Sequence, residues 1–217
     1  SLNGKLRPVL IHHRVDFMAY TFDQLVNWIS LWSFKSSRKS FAPLVIRAII
    51  GRGWGQGPMH SQILDSLFAQ IPGLKVIMPT FPKDFKGMIL SAIKDRNPVV
   101  ILEHRWLHNI KGDVPKKYYL NNINKIKKIN NGHDLTIVAN GYNLLEVIEL
   151  KKILKDEKIS FDLFDLNILQ PLETNAIINS VKKTGRILVI DSGFKNLGIG
   201  SEIISRISET CMEKLKS

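Results

Sequence analysis

A single cysteine, Cys211, stands in this chain of 217 residues. One thiol excludes an intramolecular disulfide and points to a reducing compartment, taken here as the cytoplasm. Cys211 lies in a polar C-terminal stretch without His or Asp beside it, so it reads as a free thiol rather than a nucleophile. No apolar run approaches the roughly 20 residues that span a bilayer. Residues 1–9 lack the apolar segment of a signal peptide, and no membrane partner is expected. The first residue is Ser rather than Met, so the natural start is expected upstream. No C-x-x-C pair occurs, and the six histidines are read as forming no metal set. Carboxylates are sparse before residue 109, and none are paired for acid–base work.

Negative charge is also scarce against a formal net charge of +12. A basic chain raises the possibility of a nucleic-acid ligand. The positive side chains, however, are 22 Lys against 9 Arg, and they are scattered. Base readers use Arg forks, and single-strand binders interleave aromatics with charge. Neither pattern is present, so no nucleic-acid partner is expected. The densest stretch, Lys111 to Lys128, mixes Lys with Asn and Ile in the manner of a coding bias.

Short apolar runs alternate with helical patterns, which predicts α/β folding with parallel strands. Strands are expected at 7–13, 44–50, 75–78 and 99–102. Helices are expected at 22–33, at 60–70 and after Pro82. A polar, turn-rich stretch at 109–133 then reads as a linker. Beyond it, strands at 135–139, 161–166 and 187–190 alternate with helices at 144–155, after Pro171 and after Gly198. The expected architecture is two domains, 1–108 and 134–217, each a mostly parallel sheet flanked by helices, both incomplete.

The glycine-rich run from Gly51 to Gly57 can bring backbone N–H groups close to a ligand. It is neither a P-loop nor a dinucleotide fingerprint, and a plain tight turn explains it equally well. His60 follows it and is placed near a helix N-terminus, which would favour the neutral imidazole. It is either a general acid–base and hydrogen-bond donor or a capping surface histidine.

Several segments together carry a family resemblance. They are Pro43-Leu-Val-Ile-Arg-Ala48, Gly51 through the His60-Ser-Gln62 motif, Pro72 to Val76, and Asn97 to Glu103. Leu6-Arg-Pro8, Phe22-Asp-Gln24, Asp165 to Glu173 and Gly198 to Glu202 extend the match in the same order. The chain resembles the beta subunits of thiamine-diphosphate-dependent 2-oxo acid dehydrogenases of the pyruvate and branched-chain type, within the transketolase-like group. The resemblance implies a pyrimidine-binding domain followed by a C-terminal domain, as a fragment lacking both ends.

It further implies that His60 is the active-site histidine. Phe17 would pack on the aminopyrimidine, and Trp54 and Gln56 would join it in binding the cofactor. Ala92, Asp95 and Asn97 match positions that in some relatives surround a potassium ion. The family's catalytic glutamate lies upstream of this sequence, and no Glu here replaces it. An alpha subunit would hold the diphosphate and Mg²⁺, since Gly112-Asp113-Val114 is not the family's motif for them. The other implied partners are a second beta subunit and a lipoyl acyltransferase core. The alternatives are a transketolase or deoxyxylulose-phosphate-synthase-like half, or a non-catalytic remnant that acts only in assembly.

Overall fold

The computed structural model describes residues 6–216. The first strands are β1 (Val9–His12), β2 (Val45–Ile50), β3 (Lys75–Ile77) and β4 (Val99–His104). They are followed by β5 (Lys127–Asn130), β6 (Leu135–Ala139), β7 (Phe161–Asp165), β8 (Ile168–Gln170) and β9 (Ile187–Ile190). The helices are α1 (Trp32–Lys35), α2 (Asp65–Ala69), α3 (Pro82–Lys94) and α4 (Gly141–Glu149). Then come α5 (Lys151–Asp156), α6 (Asn175–Thr184) and α7 (Ile199–Cys211).

Two sheets result, each mostly parallel, as the alternation of apolar runs and helices predicts. The first has the order β1-β2-β4-β3-β8, parallel except for β8. The second has the order β5-β7-β6-β9, parallel except for β5. All six residues of β4 are buried; residues 99–102 are the continuous apolar run that a parallel strand covered on both faces needs, and the buried Glu103 pairs with Arg47 at 2.6 Å. Pro82 opens α3, where its missing N–H costs nothing, and Met88 and Ala92 face the core.

Three segments differ from the expected elements. The stretch at 22–33 forms a π-type turn, Gln24–Ile29, and then α1. The helix expected at 60–70 begins only at Asp65. The polar stretch at 109–133 contains β5, and the pleat of that strand gives its two lysines opposite tasks. Lys127 reaches Asp84 on α3 at 3.1 Å, whereas Lys128 reaches the buried Asp162 of β7 at 2.8 Å. These lysines neutralise interior carboxylates, so the composition that reads as coding bias has a structural use here.

The two halves meet through β8, which leaves the second half to pair with β3 of the first sheet. A single apolar cluster joins Val76, Ile77 and Val100 to Val138, Phe164 and Leu166. Asp165 is fully buried at this seam, with Thr80 Oγ1 donating to it at 3.3 Å and its Oδ2 unpartnered. Burial, reinforced by the charge of Asp84, raises its pKa to about 8. The folded chain therefore holds this proton more tightly than the unfolded chain does, and stability falls as pH rises from about 4 toward 8. Asp165→Asn is expected to raise the unfolding free energy at pH 8 by roughly 1–3 kcal/mol and to flatten that slope. Urea titrations at pH 5 and pH 8 check both.

Candidate functional site

The carboxyl ends of parallel strands are where open α/β sheets place ligands. Three loops converge there: residues 13–21 after β1, residues 51–62 after β2, and the 3-10 turn Arg105–Asn109 after β4. Gly51, Gly53, Gly55 and Gly57 all have φ between +71° and +112°, backbone that side chains rarely adopt. At Gly51 a Cβ would also lie 2.8 Å from His104 Nε2 and 3.0 Å from the Trp54 ring. The loop therefore folds tightly over the end of β4.

His60 ends a 3-10 turn, Pro58–His60, five residues before α2. The expectation that it sits at a helix N-terminus is thus corrected, because Leu64 takes a left-handed conformation and delays the helix. Phe17 lies on the 3-10 turn Val15–Thr21. The two rings meet edge-on, with centroids 5.4 Å apart at 69°. Phe17 is 42% exposed, which leaves ring surface for a ligand.

The other assigned residues are placed differently. Trp54 turns inward between the guanidinium groups of Arg14, 4.6 Å from its ring, and Arg105, at 5.3 Å. Its ring is engaged by protein cations rather than open, and its Nε1–H is buried without a partner. Gln56 is exposed and accepts a 3.4 Å hydrogen bond from Arg105. Ala92, Asp95 and Asn97 lie together at the end of α3, far from this cluster in the fold.

Protein cations also hold the oxygens that a potassium ion would use near Asp95. Arg7 donates to the Ile93 and Asp95 carbonyls at 3.0 and 2.6 Å, and Lys75 sits 2.6 Å from the Asp95 carboxylate. The remaining Asp95 oxygen accepts the Asn97 N–H and amide at 2.8 and 3.1 Å. This donor set does not fit the ion. Among the described residues, no three His, Cys, Asp or Glu gather to hold a metal.

Sequence reading did not single out Arg14, Asp16, His104 and Arg105. No spacing signals them, because packing alone brings them together. His104 is buried, stacks on Tyr142 at 5.6 Å and meets Trp106 edge-on at 5.7 Å. Burial, then the positive charges of His108 and Arg14, lowers its pKa to about 4, so it is neutral at physiological pH. A cavity of about 330 Å³ lies beside it, lined by Arg47, Phe81, Phe85, Glu103 and His108 among others, and separate from Phe17 and His60.

Residues 1–110 match the model of the transketolase pyrimidine binding domain, and residues 124–217 match that of the transketolase C-terminal domain. The chain is 34% identical over 212 residues to the Cupriavidus necator acetoin:2,6-dichlorophenolindophenol oxidoreductase subunit beta, covering 98% of this chain and 63% of the relative. It is 35% identical over 210 residues to the pyruvate dehydrogenase E1 component subunit beta of Porphyra purpurea, covering 97% and 63%. The Staphylococcus aureus protein of that name is 32% identical over 212 residues, covering 97% and 65%. This chain therefore spans a little under two thirds of the length of these relatives. A solved structure, a split-gene transketolase described as an inactive beta4 tetramer, superposes with a TM-score of 0.76. That match is at 21% identity and covers 94% of this chain and 63% of the other. No described helix is long and apolar enough to cross a membrane. With the two domain models matched in succession, the chain belongs to the transketolase family, as a pyrimidine-binding domain followed by a transketolase C-terminal domain.

Proposed function

We propose that this chain is the cofactor-facing part of a 2-oxo acid dehydrogenase beta subunit, working with an alpha-type subunit and a lipoyl acyltransferase. One observation carries the reading: two loops from different strands bring the half-exposed ring of Phe17 and the imidazole of His60 together at the carboxyl end of the sheet. The relatives named as beta subunits of pyruvate dehydrogenase support it over nearly the whole of this chain.

A half-exposed aromatic ring that meets an imidazole edge-on fits a flat heterocycle better than it fits a metal or a polyanion. Phe17 packs against the aminopyrimidine of thiamine diphosphate. The diphosphate and Mg²⁺ are assigned to the alpha partner, and no step here requires potassium. When bound, the cofactor supplies a carbon nucleophile for the substrate ketone and takes up the electron pair left as carbon dioxide departs. His60 donates a hydrogen bond to the substrate oxygen as negative charge develops there, and it steers the approaching lipoyl group. Trp54, between the Arg14 and Arg105 guanidinium groups, ties the loop to the segments after β1 and β4.

The cofactor-facing role of Phe17 is tested by titrating thiamine diphosphate, with Mg²⁺, into the alpha–beta assembly and following tryptophan fluorescence. Phe17→Ala is expected to weaken binding by roughly 3–10-fold, the value of one aromatic contact. Unchanged affinity in that variant contradicts this placement of the cofactor.

A further inference from the structure

The loop that presents His60 has two feet. Gly51 leaves β2, Gln62 returns toward the core, and the Gly51 N–H donates to the Gln62 carbonyl at 3.3 Å. One ion pair from the segment after β1 grips both feet. Arg14 Nη2 donates to the Gly51 carbonyl at 3.1 Å, and Asp16 Oδ1 accepts the Gln62 N–H at 3.3 Å. The pair itself closes at 3.3 Å, with side chains only 6% and 4% exposed. The same guanidinium lies over Trp54 in the middle of the loop, 4.6 Å from its ring. A single arginine and its carboxylate therefore touch the start, the middle and the end of the His60 loop.

Phe17 is the next residue after Asp16, and its N–H donates to the Arg14 carbonyl at 3.3 Å. The turn that holds the loop is thus the turn that carries the ring against His60. Neither charged side chain faces the open surface beside Phe17. Arg14 is buried, and one of its nitrogens, Nη1, is left without a partner. A buried charge pair is a costly way to hold a loop unless it sets a geometry that backbone bonds alone leave loose.

We infer that the Arg14–Asp16 pair is a positioning device that fixes the His60 imidazole against Phe17 without touching substrate or cofactor. Arg14 and Asp16 are positioning residues. This inference rests on the reading of His60 given above, and its test separates the two. A displaced catalytic group loses rate more than substrate affinity.

The test uses the full-length protein in its assembly with the alpha chain, with variants Asp16→Ala and Arg14→Lys. Lysine keeps the charge but loses the flat fork that spans Gly51, Asp16 and Trp54, and it serves if Asp16→Ala does not fold. The first readout needs no activity: backbone hydrogen exchange across residues 51–62, followed by mass spectrometry, is expected to speed up about tenfold or more in either variant. The second is kinetic. Turnover should fall by roughly 10–100-fold with KM changed less than about threefold. In a His60→Ala background, with thiamine diphosphate saturating so that any shift of Phe17 is masked, the same substitutions should cost nothing further in rate, because they act through that ring. Unchanged exchange in the loop overturns the clamp. A rate loss that persists in full without His60 shows a general structural role and overturns the positioning claim. If the wild-type assembly shows no turnover at all, the functional reading fails, while the exchange measurement still decides whether the pair holds the loop.

Discussion

Replacing His60 by alanine in the assembled enzyme is expected to lower 2-oxo-acid-dependent turnover by roughly 10²–10⁴-fold, the range for losing a positioned acid–base group. Thiamine diphosphate should remain bound, because the half-exposed Phe17 ring, and not His60, is the proposed contact to its aminopyrimidine. KM should change little, since the lost hydrogen bond matters most as charge builds on the substrate oxygen. His60→Gln, which can still donate, should recover part of the rate. Full turnover in His60→Ala would show that the edge contact with Phe17 is only structural packing.

The second large effect concerns folding. Asp162 lies in the middle of β7 with no exposed surface. It receives Lys128 at 2.8 Å, Lys183 at 2.7 Å, Ser180 Oγ at 2.5 Å and the Gly132 N–H at 2.8 Å. Burial opposes its charge, but the hydrogen bonds from Lys128, Lys183, Ser180 and Gly132 outweigh it and hold the carboxyl well below the usual range. Asp162→Ala leaves the Gly132 N–H and the Ser180 hydroxyl without this acceptor, while the half-exposed Lys128 and Lys183 turn to solvent, and it is expected to cost about 1–3 kcal/mol. The depressed pKa also fixes the sign of the pH dependence. Its stabilisation is complete above the unfolded value near 4 and is lost as pH falls below it. Urea unfolding should therefore show wild-type stability declining below about pH 4, with the gap to Asp162→Ala narrowing there. No substituent fits at Gly132, where a Cβ would lie 2.1 Å from the Phe161 nitrogen, so the two chain segments meet backbone to backbone.

What could be read in advance follows from how local each signal is. Strands β6 and β9 fall where their apolar runs lie, because Asp134 and Asn140 bound the first run and Arg186 and Asp191 the second. The strands missed, β5 and β8, are short edge strands. β5 is polar, and the partners of its lysines, Asp84 and Asp162, are far away in sequence. β8 pairs with the sheet of the other half, and nothing within its three residues encodes that partner. The same limit applies at the site. Phe17 and His60 were legible because the family resemblance covers them, whereas Arg14 and Asp16 act through contacts that only folding brings together. The potassium assignment carried residue types across without the neighbours Arg7 and Lys75, which take the oxygens. The supposed helix at His60 failed because one left-handed residue, Leu64, postpones its start.

We propose above that this chain contributes the cofactor-facing half of a 2-oxo acid dehydrogenase site. The most direct test is turnover by the full-length protein co-assembled with its alpha-type chain, read as reduction of an artificial electron acceptor. The assay compares 2-oxo acids, and acetoin as the substrate named for one relative, each with and without thiamine diphosphate and Mg²⁺. Turnover with a 2-oxo acid is expected to require the cofactor and to collapse in His60→Ala. A stable assembly that binds its partner yet turns over neither substrate class would contradict it and mark the chain as a subunit that serves assembly alone.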